Sequence, residues 1–443
     1  MRNYLLHGLL CLLITLLLLT GTQGIWGFFK EKDLLGVVNV PDTCSFTTDS
    51  LFDGTFQQSA SVHLNKHLGF HNTLTRINNQ ITFSVFGISP ANNVIIGRDN
   101  YLFEPGYINA WLGKDFTSRE KISGKVKRLV KFQQLLNEKG VHFILVFCPS
   151  KARFMPENLP KKFRTKGKYT NYETYVDLIK KEGQGLHFID FNDYFRKLKD
   201  TASFTLYPKG GTHWTNFSSR YYVLDSLLRY MESLSGEKYP NIIANRIYWS
   251  DSLLIPDDDI STLFNLIFPF PSGKITYADF GIKNDGATKP NVLAIGDSYY
   301  WQIYGFDKIN ELFNESDFWV WNEVFYPKHK YANIKSDNYM FLKQDILEHK
   351  FFILMATEIN LPNLLNFDEK TFALFDPDNP IVKELQKKRA ERINFFKVMI
   401  QNNPKWSALV REKAKVRKLS YEQMVQNDAE YMVDYEINNL KNK

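Results

Sequence analysis

Apolar stretches of two different periods alternate along the chain. Val141 to Phe147 and Asn291 to Ile295 are nearly unbroken apolar runs of strand length, and Phe318 to Trp321 and Phe351 to Met355 resemble them. A strand with no polar face is buried on both sides, as in a parallel sheet covered by helices. Between these runs, Ser118 to Lys139, residues 171–182 and residues 216–234 carry helical spacing, with Gly140 placed to end the first helix. Leu186 to Ile189 adds a shorter strand, and Val94-Ile95-Ile96 and Tyr101-Leu102-Phe103 flank a tight Gly-Arg-Asp-Asn turn. The alternation predicts an α/β fold of three layers with a mainly parallel sheet, whose ligand site lies beyond the C-terminal strand ends.

The two ends of the chain follow other patterns. No charged residue stands between Arg2 and Lys30, and Leu9 to Leu19 is almost uninterrupted Leu, Ile and Cys. Residues 1–25 therefore read as a signal peptide or a membrane anchor: Tyr4 to Thr20 is at the short end of a spanning length, and the small residues Thr20, Gly21, Thr22 and Gly24 permit cleavage. Either places the rest of the chain across the cytoplasmic membrane, periplasmic, anchored or secreted. No cysteine follows the run where a lipoprotein needs one. Residues 30–90 read as a mostly helical lead-in packed on a domain spanning 30–375. Residues 379–443 form a charge-rich helical C-terminal extension, with helical stretches at 381–399 and 405–442 broken at Asn402-Asn403-Pro404. A solvated tail folded back on the domain is the simpler reading of that extension, and docking of a partner is the alternative.

Composition narrows the class. The 443 residues are 44% hydrophobic and 23% charged, a globular balance long enough for a large core. The net charge of +7 is spread along the chain with no polybasic tract, so nucleic acid is not an expected partner. Three cysteines exclude a disulfide scaffold and multi-cysteine zinc patterns; Cys11 lies in the apolar run, and Cys44 and Cys148 are expected as free buried thiols, with pairing possible only if they are close. Neither a metal spacing nor a glycine-rich phosphate loop occurs, and no cofactor is implied.

Chemistry concentrates at two points. Gly296-Asp297-Ser298 directly follows a buried strand, where a turn into a helix lifts the serine hydroxyl above the sheet edge and offers main-chain N–H groups to an oxyanion. An ordinary helix cap uses the same residues. His213, in Gly210-Gly211-Thr212-His213-Trp214-Thr215, is the best-placed base for such a serine. Tyr299, Tyr300 and Trp301 after the serine, and Trp214 beside the histidine, are candidates for lining an acceptor groove, with core packing as the alternative. Glu358 and Asn360, after the strand at Phe351 to Met355, are candidate polar lining of the same crevice.

The run from Val94 to Phe103, then Thr212-His213-Trp214-Thr215, then Val292 to Ser298 resembles the alginate O-acetylation proteins of the AlgJ/AlgX type, whose domain is SGNH-hydrolase-like. The resemblance covers about residues 45 to 360. It implies an exported O-acetyltransferase that moves acetyl groups to hydroxyls of a cell-surface polysaccharide, supplied by a membrane-bound acyltransferase partner, with Ser298 as nucleophile and His213 as base. The family reads Asp-Thr-His-Trp where this chain has Gly211, so the orienting carboxylate is missing from its usual place. Asp190 and Asp193 stand just beyond a strand end and are the candidates to replace it, Asp190 first. The alternatives are a carbohydrate acetylesterase and a catalytically impaired polysaccharide-binding scaffold.

Overall fold

The computed structural model describes residues 2–36, 46–332, 334 and 338–439, so Cys44 lies outside the described residues. The central sheet contains β1 (His142–Cys148), β2 (Phe188–Asp190), β3 (Asn291–Gly296), β4 (Glu315–Val320), β5 (Val324–Tyr326) and β6 (Phe351–Thr357), in the order β2-β1-β6-β3-β4-β5. All neighbours pair in parallel except β4 and β5, which are antiparallel. The α/β class and the mainly parallel sheet expected from the apolar runs are what the chain adopts.

Alternation along the strands sends successive side chains to two cores. Ile144, Val146, Val292, Ala294, Ile353 and Met355 point to one face, and Phe143, Leu145, Leu293, Ile295, Phe352 and Leu354 to the other. The first face is covered by the aromatic pair Phe191 and Phe195 and by the helix Asp225–Ser235 through Leu227, Leu228 and Met231. The second is covered by the helices Arg119–Asn137 and Asn171–Glu182, each started by a hydroxyl cap: Ser118 accepts from the Lys121 N–H and Thr170 from that of Glu173. The C-terminal helices Pro380–Asn402, Pro404–Arg417 and Tyr421–Asn439 join this same core through Phe396, Ile400, Val410, Met424 and Ala429. They are folded back on the sheet layer, not free in solvent. Cys148 is buried and unpaired, as expected.

One element was not foreseen. Asn241–Ser250 and Ile275–Lys283 form a long antiparallel ribbon outside the main sheet, and the connection between its strands carries a residue of the site described below. Its half-exposed alternation gives a weaker signature than the all-apolar central strands.

At the N-terminal side of β4 and β6 a buried polar cluster ties the sheet to the helix Tyr339–Glu348. The Tyr331 hydroxyl lies 2.6 Å from Asp317 Oδ2 and 2.5 Å from Asp345 Oδ2 and shares its one hydrogen between them, Lys330 pairs with both carboxylates, and His349 Nε2 lies 3.1 Å from Asp317. Burial works against a charge on His349, but the bond to Asp317 and the charges of Asp345 and Asp317 outweigh burial and the opposing Lys330, raising its pKa. A raised histidine contributes stability in full below its unfolded value near 6.5 and loses it as pH climbs through the folded value. Chemical denaturation should thus show a decline above about pH 6.5 that His349→Gln flattens; an unchanged profile in the variant would remove His349 as its cause.

Candidate active site

Ser298 stands one residue past Asp297 at the end of β3, where the chain leaves the sheet and enters a short helical turn. The side chain of Asp297 is almost completely buried and knits two strand ends together. Its Oδ1 accepts from the Tyr299 N–H at 3.1 Å, while Oδ2 accepts from the Thr357 N–H at 2.8 Å, the Thr357 hydroxyl at 2.6 Å and the Asn360 amide at 2.8 Å. The serine is fixed from below by this cap and remains half-exposed.

His213 reaches the serine from outside the sheet. Its Nε2 lies 3.0 Å from Ser298 Oγ and its Nδ1 lies 2.9 Å from Asp259 Oδ2. A carboxylate only accepts, so Nδ1 carries the proton, and Nε2 is left to accept from the serine hydroxyl. Carboxylate, imidazole and hydroxyl therefore stand in one hydrogen-bonded series, an order that can activate a serine.

The carboxylate comes from the loop that links the two ribbon strands. That loop is stitched to the histidine segment along its length: Ile260 and Ser261 N–H both donate to the Gly210 carbonyl, at 3.1 and 2.8 Å, and Thr212 N–H donates to Asp259 Oδ1 at 2.8 Å. Asp257, fully buried, accepts from the Asn216 N–H at 3.0 Å and from its side-chain amide at 2.9 Å; burial raises its pKa to about 6. The close approach needs a glycine. A Cβ on Gly211 would sit 2.7 Å from the Pro256 carbonyl oxygen and 2.8 Å from that of Asp257. The residue that stands in place of the expected aspartate is thus the one that admits the loop bearing Asp259. Gly211→Asp should lower stability by about 1–3 kcal/mol through overpacking and should not raise ester turnover; a faster variant of unchanged denaturation midpoint would contradict this packing.

Asp190 does not orient His213. It ends β2, three strand positions from β3 in the sheet order β2-β1-β6-β3, or about 14 Å at the usual strand spacing. There its Oδ1 caps the helix Phe191–Leu198 and its Oδ2 accepts from the Tyr172 hydroxyl at 2.8 Å. Asp193 pairs with Arg196 and Lys197 on the surface. The aromatic groove expected from Tyr299, Tyr300, Trp301 and Trp214 is also corrected. Tyr299, Tyr300 and Trp214 are fully buried in the core, and Trp301 packs on Phe318 and Tyr326. The helical turn after Ser298 points Tyr299 and Tyr300 inward, under the site.

The cavity over Ser298, about 370 Å³, is lined instead by Glu104, Tyr107, Thr212, Ile260, Leu263, Trp321, Ile359 and Asn360 with the three residues of that series and Asp297. Asn360 is therefore in the crevice as expected, whereas Glu358 turns away to a buried ion pair with Arg153 at 2.7 Å. Trp321, 45% exposed, is held at the cavity in the left-handed turn between β4 and β5, with its N–H on the Gly296 carbonyl at 2.9 Å. Glu104 accepts from the Thr212 hydroxyl at 2.8 Å, and Tyr107 is kept protonated well above its ordinary range by burial and then by the charges of Asp297 and Glu104. Behind them, buried Lys151 donates to the carbonyls of Leu102 and Lys209 at 2.9 and 3.1 Å; desolvation pulls its pKa to about 7 against the opposing pull of Asp259 and Glu104.

Residues 94–223 match the family model of the SGNH hydrolase-like domain of the acetyltransferase AlgX. The AlgJ/AlgX resemblance carried by the motifs is thereby shown over that stretch, which contains His213 and stops before Asp259 and Ser298. Among solved structures, the chain is similar to the O-acetyltransferase domain of Pseudomonas putida AlgJ, with 16% identity and a TM-score of 0.39 over 64% of this chain and 98% of that one. Pseudomonas aeruginosa AlgX gives 14% identity and a TM-score of 0.39 over 62% of this chain and 66% of that one. Bacillus cereus PatB1 with a sulfonyl adduct gives 13% and 0.41 over 62% and 99%. No curated protein matches the sequence.

Proposed function

We propose that the chain is an O-acyltransferase that moves an acetyl group to a hydroxyl of an exported or cell-surface polysaccharide through an acyl-enzyme on Ser298. The observation that carries this reading is the hydrogen-bonded series Asp259, His213, Ser298 at the C-terminal edge of the sheet. In the first half-reaction Ser298 Oγ attacks the carbonyl carbon of the donor ester while His213 Nε2 takes the hydroxyl proton. Asp259 stabilises the imidazolium that forms and holds its tautomer. The tetrahedral oxyanion collapses, the bond to the donor's oxygen breaks, and His213 returns the proton to that leaving group. In the second half-reaction a sugar hydroxyl gives its proton to His213 and attacks the acyl carbon, releasing Ser298 as the free hydroxyl.

Donors for the oxyanion are the Ser298 N–H and the Asn360 amide. Asn360 Nδ2 has one firm acceptor, Asp297 at 2.8 Å, and only a long 3.3 Å contact with Thr357, which leaves a hydrogen for a developing negative charge. Trp321 supplies the exposed ring on which an acceptor sugar stacks. The acetyl donor is a membrane-bound acyltransferase, and the catalytic unit stands outside the cytoplasmic membrane, in keeping with the apolar N-terminal helix.

Transfer is separable from hydrolysis. With an activated acetyl ester and an acetyl-free oligosaccharide supplied together, acetylated sugar should form faster than free acetate, because a stacked acceptor raises the effective concentration of its hydroxyl at the acyl carbon. Acetate release insensitive to every acceptor would favour an esterase.

A further inference from the structure

The helix Arg2–Trp26, apolar enough from Leu6 to Trp26 to cross a membrane, is packed into the fold at its outer end. The turn at His67–Gly69 joins the helices Thr55–His67 and His71–Ser84 and lies directly on it: Gly69 N–H donates to the Thr20 carbonyl at 3.2 Å. Two glycines make the contact possible. A Cβ on Gly69 would fall 2.2 Å from the Thr20 oxygen, and one on Gly24 would fall 2.5 Å from the His67 oxygen. Gln23, 7% exposed, closes a pair of hydrogen bonds with the main chain of Phe29. Thr20 and Gly24 are two of the four small residues at which the sequence permitted cleavage. In the fold they hold the hairpin of two helices.

The helix His71–Ser84 presents apolar residues on opposite faces. Asn79 and Phe83 face the domain: the Asn79 amide donates to the Phe264 carbonyl at 2.9 Å, and the Phe83 ring lies 5.7 Å from Phe264 and 5.4 Å from Phe270. Leu74, Ile77 and Ile81, at the i, i+3, i+7 spacing of a single face, are exposed on the other side. Val85 at 70% and Phe86 at 66% exposure continue that face beyond the helix. A helix with one packed and one bare apolar face is incomplete in water.

Charge and position indicate what covers it. From Gly54 to Arg98 the chain holds no Asp or Glu; Glu31 accepts from the Asn72 and Thr73 N–H groups at the first turn of the helix, and Arg76 is turned to the domain side, where it donates to Asn265 and to the carbonyls of Lys32 and Asp33. The bare face itself, Leu74, Ile77, Ile81, Val85 and Phe86, carries no charged side chain and suits the acyl boundary of a lipid interface. The bare face adjoins the end of the apolar helix, where Trp26, Phe28 and Phe29 are exposed as a belt of aromatic residues at the level of a membrane interface. From Thr20 to Trp26 the helix rises about 9 Å, the depth to which interfacial helices bury their apolar side.

We infer that the helix Arg2–Trp26 is a retained anchor and that the outer face of His71–Ser84, with Val85 and Phe86, lies in the lipid interface beside it. Because Phe264 and Phe270 continue the loop that carries Asp259, and Ile260 and Leu263 line the cavity, this seat holds the mouth of the Ser298 site at the membrane surface. The seat itself stands independently of the acyl-transfer reading and is tested without turnover.

The test uses the full chain, with Cys11 and Cys44 changed to Ser and buried Cys148 retained, reconstituted in vesicles of phosphatidylethanolamine and phosphatidylglycerol. A polarity-sensitive fluorophore is placed at Ile81→Cys, Phe86→Cys, Leu17→Cys in the anchor or Val416→Cys, a position 82% exposed on the C-terminal helices. With brominated acyl chains in the bilayer, labels at 17, 81 and 86 should lose more than about half their emission and the label at 416 less than about a tenth, as contact with the acyl boundary requires. Quenching at 17 with none at 81 and 86 would overturn the lipid seat. A blue-shifted but unquenched label at 81 or 86 would overturn it in favour of a protein neighbour.

Discussion

Asp259→Asn is expected to lower acyl transfer by about 10⁴-fold, the cost of losing the orienting carboxylate in a serine triad. The asparagine keeps the size of the side chain, but its amide can present N–H to Nδ1 and so favour the tautomer whose Nε2 carries a proton and cannot accept from Ser298. The second oxygen of Asp259 accepts from the Thr212 N–H, so the loop stays stitched if the retained carbonyl takes that place. Asp190→Asn is the matched control. Asp190 belongs to a cap and a tyrosine bond three strands away, and its loss should leave the rate within about a factor of three, as for distant independent sites. Initial rates with an activated ester, measured on both variants and the parent, decide between the two carboxylates. Equal losses, or a larger one at Asp190, would show that Asp259 is not the functional partner of His213.

Ser298→Ala is expected to abolish turnover through an acyl-enzyme, because Ser298 holds the hydroxyl that donates to His213 Nε2. Stability should change by no more than about 1 kcal/mol: the hydroxyl is half-exposed, and the cap that holds the strand end belongs to Asp297. Denaturation midpoints measured beside the rates separate the two effects. Retained turnover with a large fall in midpoint would make Ser298 a structural residue.

Much of this architecture was legible in the chain because the strands β1, β3 and β6 are apolar on both faces, and only a covered sheet buries both. The Gly-Asp-Ser turn and the His213 loop were legible for a similar reason: each is a short motif whose chemistry is local. The orienting carboxylate was not. Asp259 lies 46 residues from His213 in sequence and reaches it through a loop between two ribbon strands, a contact made by tertiary packing alone. A signal did exist in the run Asp257-Asp258-Asp259 after Pro256, since three adjacent carboxylates are costly to hold together unless something binds them, and two of them grip residues 212 to 216. The aromatic residues after Ser298 misled for the opposite reason. Their proximity in sequence suggested a groove, while the turn of the helix buries Tyr299 and Tyr300 and leaves the cavity's exposed ring to Trp321, which enters from the neighbouring strand end.

The central claim is a covalent acyl group on Ser298, and its most direct test is the mass of the peptide that carries this residue. The protein is mixed with an activated acetyl ester, quenched in acid within the first turnovers, digested and sequenced by mass spectrometry. The expected result is a single acetyl group on Ser298, absent from Ser298→Ala, slow to appear in Asp259→Asn, and discharged when an acceptor oligosaccharide is added before the quench. Continued ester turnover with no acetyl on Ser298, or with the acetyl group on another residue, would contradict it.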